Sequence, residues 1–315
     1  MMITKFARLR LKIWGSRIGL SLSEFDFCPV GLASDFPPTF KFSGVCLSMK
    51  KSVFNVVASV FAVSFGFSHT AQAQKWADLT MTVLLDGEVP KPKQVTVNAD
   101  AFCMQNKIMS EDLVVDPATK AIANIVFLID SKKTKLETKQ LHPDLQKVPS
   151  DKPAMDNLKC AFVPHIITMR AGQTLLVTNS DQTGHNAKFN FFKNEEVNPM
   201  IPVGGRKEIV TTLEEPTPTK VECSIHPWMS GYVIVAGHPY VGISDAAGKI
   251  KIEKLPAGIE LDFKLWHESQ DKSIEEVSLS GKKEKWTKGT VKLTLKEGAN
   301  DLGTLLIKPE RFKTR

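Results

Sequence analysis

Cysteine, histidine and methionine, the side chains that bind soft metal ions, lie close together in one short segment. Cys223, His226 and Met229 fall within seven residues, and His185 lies upstream, just after a run of strand-forming residues. A thiolate with two imidazoles and a weak axial thioether is the ligand set of a blue (type 1) copper centre, which transfers single electrons. Thiolate and thioether favour Cu(I), whereas imidazole accepts both oxidation states. The pattern therefore predicts a mononuclear copper site formed by these four residues.

Other metal sites and enzyme classes fit the sequence less well. Cys-x-x-His also occurs as half of a zinc site, but the sequence holds no second Cys/His pair to complete four tetrahedral ligands. Multicopper oxidases and nitrite reductases need further His-x-His ligand pairs, which the sequence lacks, as it does the common nucleotide-binding and hydrolase fingerprints. His267 and Glu268 could form an acid/base pair, but without a nearby nucleophile we interpret them as a structural polar pair between subdomains. The sequence thus predicts no catalytic residue.

Alternating apolar and polar residues predict the β-strands that must position this site. Short runs alternate with a period of two, and turn signals such as Asp86-Gly87 and Ala171-Gly172 separate them. No long helical stripe occurs, and only weak helical turns are predicted near 101–107 and 144–147. Many short strands at this spacing predict an all-β chain in an antiparallel sandwich or barrel. The predicted strands span 79–85, 122–129, 165–169, 174–180, 232–237, 249–255, 260–266, 290–295 and 303–308.

The chain after the N-terminal segment is predicted to contain two β units. Residues 74–237 hold the metal-binding side chains and form the first unit, and residues 238–315 form a smaller C-terminal β-subdomain. The polar and charged stretch 131–157 is predicted to be a surface insertion in the first unit.

The N-terminal segment has the pattern of an export signal. Residues 49–73 combine a short basic region, an apolar stretch of about 15 residues and the small-x-small sequence Ala71-Gln72-Ala73, as in a cleaved signal peptide. An apolar run of about 15 residues is too short for a stable membrane anchor. Residues 1–48 carry no readable motif, and we interpret them as the product of a start site assigned too far upstream. We expect a periplasmic or secreted protein beginning at Gln74.

Removing that segment changes the charge of the chain. The first 73 residues hold eight of the 41 Lys and Arg residues and three of the 34 Asp and Glu residues, so the formal net charge falls from +7 to +2. A charge this small gives no reason to expect nucleic acid as a partner. Cys28 and Cys46 are also removed, which leaves Cys103, Cys160 and Cys223.

The site motifs resemble those of cupredoxins, the blue copper proteins. Gly184-His185-Asn186, followed about 40 residues later by CxxHPWM, is similar to the plastocyanin/pseudoazurin pattern. The chain most resembles secreted bacterial cupredoxin-like proteins, over roughly residues 76–268. The other motifs that carry this resemblance are His238-Pro239-Tyr240, Ser244-Asp245, Pro256-Ala257-Gly258 and Trp266-His267-Glu268.

The resemblance implies a fold and a set of roles. It implies a Greek-key β-sandwich followed by a transthyretin- or carboxypeptidase-regulatory-like β-subdomain. His185, Cys223 and His226 would be the three strong copper ligands. His226 would lie near the surface, where it serves as the electron port. Asn186 would hydrogen-bond between the two ligand loops and tune the Cys223 sulfur.

The axial ligand follows the family pattern less closely. Small blue proteins usually place this methionine four or five residues after the second histidine, whereas Met229 lies three residues after His226. Either Met229 is a long axial ligand, or the site is three-coordinate with a backbone carbonyl nearby. A binuclear copper site is excluded, because Thr219 occupies the position of its second cysteine.

The other two cysteines are expected to pair with each other. If Cys223 binds metal, Cys103 and Cys160 remain, and an oxidising compartment favours a disulfide between them. A redox-active role is not favoured, since the two are not arranged as Cys-x-x-Cys.

Two functions fit this reading of the sequence. The first is a periplasmic carrier of single electrons between unidentified redox proteins, acting as a monomer. The second is a protein that binds or handles copper, or binds a partner, without electron transfer.

Overall fold

The structure is a computed structural model of the chain, and it describes residues 74–98 and 100–313. The predicted upstream segment (1–48), the signal peptide (49–73), Cys28 and Cys46 lie outside the described residues. No helix within the described ranges has the length and hydrophobicity needed to cross a bilayer.

The described residues are almost entirely strand and loop, which confirms the predicted all-β class. Short 3₁₀ turns span Cys103–Gln105, Thr138–Gln140 and Pro309–Arg311, and one four-residue helix, α1, spans Pro143–Gln146. The first strands are β1 (Trp76–Leu85), β2 (Val126–Ile129), β3 (Ala154–Leu158), β4 (Ala161–Val163), β5 (Ile166–Arg170), β6 (Thr174–Asn179), β7 (His185–Asn186), β8 (Lys188–Phe189), β9 (Met200–Ile201) and β10 (Arg206–Val210). The remaining strands are β11 (Thr219–Glu222), β12 (Ser230–Ala236), β13 (Val241–Ile243), β14 (Lys249–Pro256), β15 (Glu260–Trp266), β16 (Glu276–Leu279), β17 (Lys282–Lys285), β18 (Thr290–Thr294) and β19 (Gly298–Ile307).

These strands form two β-sandwiches, each with its own apolar core. In the first, which we call the site sandwich, a sheet of order β10-β6-β3-β4 faces a sheet of order β5-β12-β11-β8. In the second sandwich, a five-stranded sheet of order β14-β1-β19-β16-β17 faces a sheet of order β13-β2-β15-β18. Strands β7 and β9 form a separate two-stranded sheet, and β7 carries His185.

Sheet faces that are buried explain the sequence patterns of the strands. Along β1, every second side chain is buried, as expected for a strand with one face on a core. Strand β12 is buried on both faces from Gly231 onward, so its sequence is a continuous apolar run. The second face of β12 is covered because Tyr232 and Ile234 pack with Val126 of β2 in a small cluster between the two sandwiches.

The predicted boundary near residue 238 does not describe how the strands pair. Strand β1 pairs with β14 and β19, and β2 pairs with β13 and β15, so both belong to the second sandwich although they precede the site sandwich in sequence. The alternate buried residues of β1 all lie in the core of the second sandwich, as this pairing requires. The site sandwich is therefore inserted between strands of the second sandwich.

The predicted surface insertion is also shorter than expected. Residues 131–153 are loop with short helical turns, but β3 begins at Ala154 and lies between β6 and β4 in the sheet. Met155 and Asn157 are fully buried there. The polar composition of β3 gives no strand signal in the sequence, and within the sheet the Nδ2 of buried Asn157 donates to the Thr178 carbonyl at 2.7 Å.

Candidate metal centre

Two neighbouring loops of the site sandwich carry the predicted ligands. His185 and Asn186 form β7, which is held by pairing with β9. Cys223, His226 and Met229 lie in the turn that joins the paired strands β11 and β12. Two backbone hydrogen bonds close this turn, from Cys223 N–H to the Met229 carbonyl (3.2 Å) and from Met229 N–H to the His226 carbonyl (2.9 Å).

Three of the predicted ligand atoms converge at one buried point. Nδ1 of His185 lies 2.9 Å from Nδ1 of His226, and Sγ of Cys223 lies 3.7 Å from the same nitrogen of His226. The two imidazoles and the thiol are at most 2% exposed. Together they form a group whose donor atoms all lie within 4.8 Å of one another, which is compact enough to hold one metal ion.

The outer nitrogen of each imidazole contacts a carboxylate. Nε2 of His185 lies 2.9 Å from Oδ2 of Asp181, and Nε2 of His226 lies 3.4 Å from Oδ2 of Asp100. Burial lowers the pKa of His185, and the neighbouring His226 adds to this effect, whereas Asp181 opposes it. The hydroxyl of Thr183 is the largest cause that lowers the pKa of Asp100, to about 2, with help from backbone amides and His226.

Asn186 joins the two ligand loops, as expected. Its Oδ1 accepts hydrogen bonds from the backbone N–H of Ser224 (2.9 Å) and Ile225 (3.3 Å), and from the thiol of Cys223 (3.3 Å). Its Nδ2 donates to Oδ1 of Asn198 and to Oγ of Ser224. The side chain therefore holds the sulfur and both loops in one geometry.

Met229 lies in the site turn and is 2% exposed, within the core of the site sandwich.

The structure places His226 deeper than the resemblance implied. Its side chain is 2% exposed, not at the surface. Trp228 covers one side, with ring centroids 5.1 Å apart, and Asp100 covers the Nε2 edge. The indole N–H of Trp228 is itself tied to the Cys160 carbonyl at 3.3 Å. An electron that leaves through His226 would therefore have to pass through Trp228 or Asp100.

The expected disulfide between Cys103 and Cys160 is present, with Cα atoms 5.6 Å apart and a sequence separation of 57. Cys223 is the free cysteine among the described residues. The disulfide's location is a further finding, because each of its sulfurs lies within 4.8 Å of a site carboxylate oxygen and an imidazole nitrogen.

Sequence reasoning did not identify Asp100 and Asp181 as site residues. Asp181 lies four residues before His185, a spacing that could have drawn attention to it. Asp100 carries no such signal, since 126 residues separate it from His226.

The other histidines of the described residues lie outside the candidate metal centre, and the expected pairing of His267 with Glu268 is not formed. Glu268 pairs with Nε2 of His165 rather than with His267, and Glu111 lies 3.2 Å from the other nitrogen of His165. Burial lowers the pKa of His165, but hydrogen bonds to Glu111 and Glu268 outweigh it and raise the pKa to about 9. Burial lowers the pKa of His267 to about 3. Nε2 of His238 donates to the Ile129 carbonyl at 2.9 Å, and its Nδ1 accepts from the backbone N–H of Tyr240 at 3.2 Å.

Proteins of known structure that are similar to parts of this chain include copper proteins. An oxidised proline-to-alanine mutant of amicyanin is 20% identical, with a TM-score of 0.25, over 27% of this chain and 82% of that chain. A purple cupredoxin from Nitrosopumilus maritimus is 26% identical, with a TM-score of 0.23, over 27% of this chain and all of that chain. The copper-containing nitrite reductase of Thermus scotoductus is 19% identical, with a TM-score of 0.26, over 35% of this chain and 27% of that chain. No protein-family model and no curated protein matches the chain.

Proposed function

We propose that this protein is a cupredoxin-like, mononuclear type 1 copper protein that carries single electrons in the periplasm. The observation that supports it is the convergence of His185 Nδ1, His226 Nδ1 and Cys223 Sγ at one buried point. This His₂Cys set fits copper better than zinc, because a structural zinc site needs a fourth strong ligand and Met229 is a weak one. When bound, copper supplies a one-electron Cu(I)/Cu(II) couple.

The protein's own groups would keep the centre rigid during electron transfer. Asn186 fixes the position of the Cys223 sulfur, and the closed turn between β11 and β12 fixes His226. A donor set that moves little between oxidation states lowers the reorganisation that each transfer requires. The groups next to the site hold their geometry through hydrogen bonds, which is how outer residues tune a metal centre.

The setting and partners follow from the same proposal. A cleaved signal peptide after Ala73 would deliver the chain to the periplasm, where the Cys103–Cys160 disulfide would persist. The partners would be a redox protein donor and a redox protein acceptor, with no nucleic acid and no stable membrane anchor. We propose a monomeric carrier and not an enzyme.

Adding Cu(II) to the purified protein tests the copper site. We expect an intense visible band from sulfur-to-copper charge transfer, and Cys223→Ser should abolish it. His142→Ala is a matched control, because His142 makes an edge-on ring contact with Trp76 of the second sandwich and its loss should leave the band unchanged. A colourless complex that is silent at an electrode would overturn the carrier function.

The burial of His226 favours a second candidate function. A copper protein whose ligand edge is covered by Trp228 and Asp100 could store or deliver copper instead of exchanging electrons. The rate of electron self-exchange between Cu(I) and Cu(II) forms distinguishes the two. Fast exchange supports the carrier, whereas a blue protein with very slow exchange supports copper handling.

A further inference from the structure

We propose that Asp100 and Asp181 are positioning residues of the metal centre, and that the Cys103–Cys160 disulfide ties these two carboxylates against its two histidines. The inference rests on the proposed function only for the identity of the metal. The hydrogen bonds that support the inference join groups of the protein and do not involve the metal.

Asp181 lies just after β6 and binds the turn between β3 and β4, which contains Cys160. It is 2% exposed, and it accepts hydrogen bonds from the backbone N–H of Lys159 (2.6 Å) and of Cys160 (2.7 Å). Lys159 and Cys160 both have left-handed backbone, with φ of 53° and 59°, which is unfavourable for residues other than glycine. Such a turn persists when its surroundings hold it, and here Asp181 and the disulfide do so. The carboxylate that receives these amides also contacts His185 Nε2.

Asp100 is held in the same way by the turn that contains Cys103. Its Oδ1 accepts from the backbone N–H of Phe102 (2.9 Å) and Cys103 (3.0 Å), and its Oδ2 accepts from the hydroxyl of Thr183 (2.6 Å). The same Oδ2 lies 3.4 Å from His226 Nε2. Each half of the disulfide therefore offers its own backbone amide to one carboxylate, and each carboxylate contacts one imidazole.

This arrangement determines which ring nitrogen faces the metal. With Nε2 of each imidazole directed at a carboxylate, Nδ1 of each is directed inward, and a ring flip would break that contact. The disulfide joins the two turns whose backbone amides bind these carboxylates, and its cysteines are 57 residues apart in the sequence. Loss of the disulfide would leave both turns free to move away from the imidazoles.

Metal-free protein provides the first test, by NMR of the ring N–H protons of His185 and His226. We expect a downfield, slowly exchanging Nε2–H resonance from each ring. Asp181→Ala should remove the resonance of His185 only, and Asp100→Ala should remove that of His226 only. Asp156→Ala is the matched control, because Asp156 lies in the same sandwich but accepts from Thr178. Resonances that survive both aspartate substitutions would overturn the inference.

Binding of Zn²⁺ alone, measured by competition with a chelator, provides the second test. Each aspartate variant should bind Zn²⁺ about 10- to 100-fold more weakly than the parent protein, the usual effect of removing an outer partner of a ligating histidine. Cys103→Ser combined with Cys160→Ser should weaken binding at least as much as one aspartate substitution. If that double variant does not fold, the single aspartate variants, which keep the disulfide, still decide the question.

The outcomes separate this inference from the proposed function. A parent protein that stays colourless with Cu(II) would contradict the proposed function, yet the NMR resonances would still decide the role of the aspartates. A blue parent protein whose aspartate variants keep both resonances and the same Zn²⁺ affinity would contradict the inference alone.

Discussion

Replacement of Asn186 by alanine should destabilise even the metal-free protein, because this one side chain joins both ligand loops. Its oxygen accepts two backbone N–H groups, from Ser224 at 2.9 Å and Ile225 at 3.3 Å, and its amide donates to Asn198 and to the Ser224 hydroxyl. Each hydrogen bond contributes about 1 kcal/mol net, and unpaired groups left behind add to the cost. The four bonds together therefore predict a loss of about 4 kcal/mol.

Thermal unfolding followed by circular dichroism measures this effect. For a domain of about 150–250 residues, each kcal/mol shifts Tm by about 2–4 °C, so Asn186→Ala should lower Tm by about 8–16 °C. Asn190→Ala is the control, since Asn190 is a partly buried asparagine that contacts Glu222 and the Lys220 carbonyl away from the ligand turn. It should cost about 1 kcal/mol or less. Equal Tm values for the two variants would refute the role assigned to Asn186.

Three further predictions concern the axial position, the response to pH and export. Met229→Leu should raise the reduction potential of the copper form if the thioether coordinates, and an unchanged potential and spectrum would favour the three-coordinate alternative. The free energy of unfolding, from urea titrations, should be largest near pH 6.5. The raised pKa of His165 (about 9) adds stability that is complete below pH 6.5 and is lost towards pH 9, by at most about 3 kcal/mol. The lowered pKa of His267 (about 3) adds stability that is complete above pH 6.5 and is lost towards pH 3. Glu268→Gln should flatten the alkaline side, and a profile already flat from pH 6.5 to 9 in the parent protein would contradict this reasoning. N-terminal sequencing of the exported protein should find Gln74 as the first residue. A different first residue would contradict the predicted cleavage after Ala73.

Local patterns were sufficient to predict many of the strands and the residue types of the candidate site. Alternation along β1 and β6 is visible in sequence because one face of each strand is buried. The Cys223–His226 spacing is equally local, since one tight turn carries both ligands. His185 was a candidate because it lies just after a run of strand-forming residues.

Strand pairing over long distances could not be predicted in this way. The boundary near residue 238 was drawn on local composition, but β1 and β2 pair with strands more than a hundred residues later. Polar β3 could not be predicted because Asp156 and Asn157 hydrogen-bond to Thr178 of the neighbouring strand, and no local pattern records that partner.

The sequence by itself predicted the all-β class and the cluster of thiol and imidazole side chains, because both depend on residue type and short spacing. The pairing of Cys103 with Cys160 followed from residue type alone, since they are the two cysteines left when Cys223 is assigned to the site. Tertiary structure alone decided what surrounds those donors. It brought Asp100 to His226 from 126 residues away, buried an imidazole that was expected at the surface, and placed the disulfide beside the metal centre. Such contacts form only when distant loops pack at one end of a sandwich, and loop closure of that kind leaves no periodic trace in the chain.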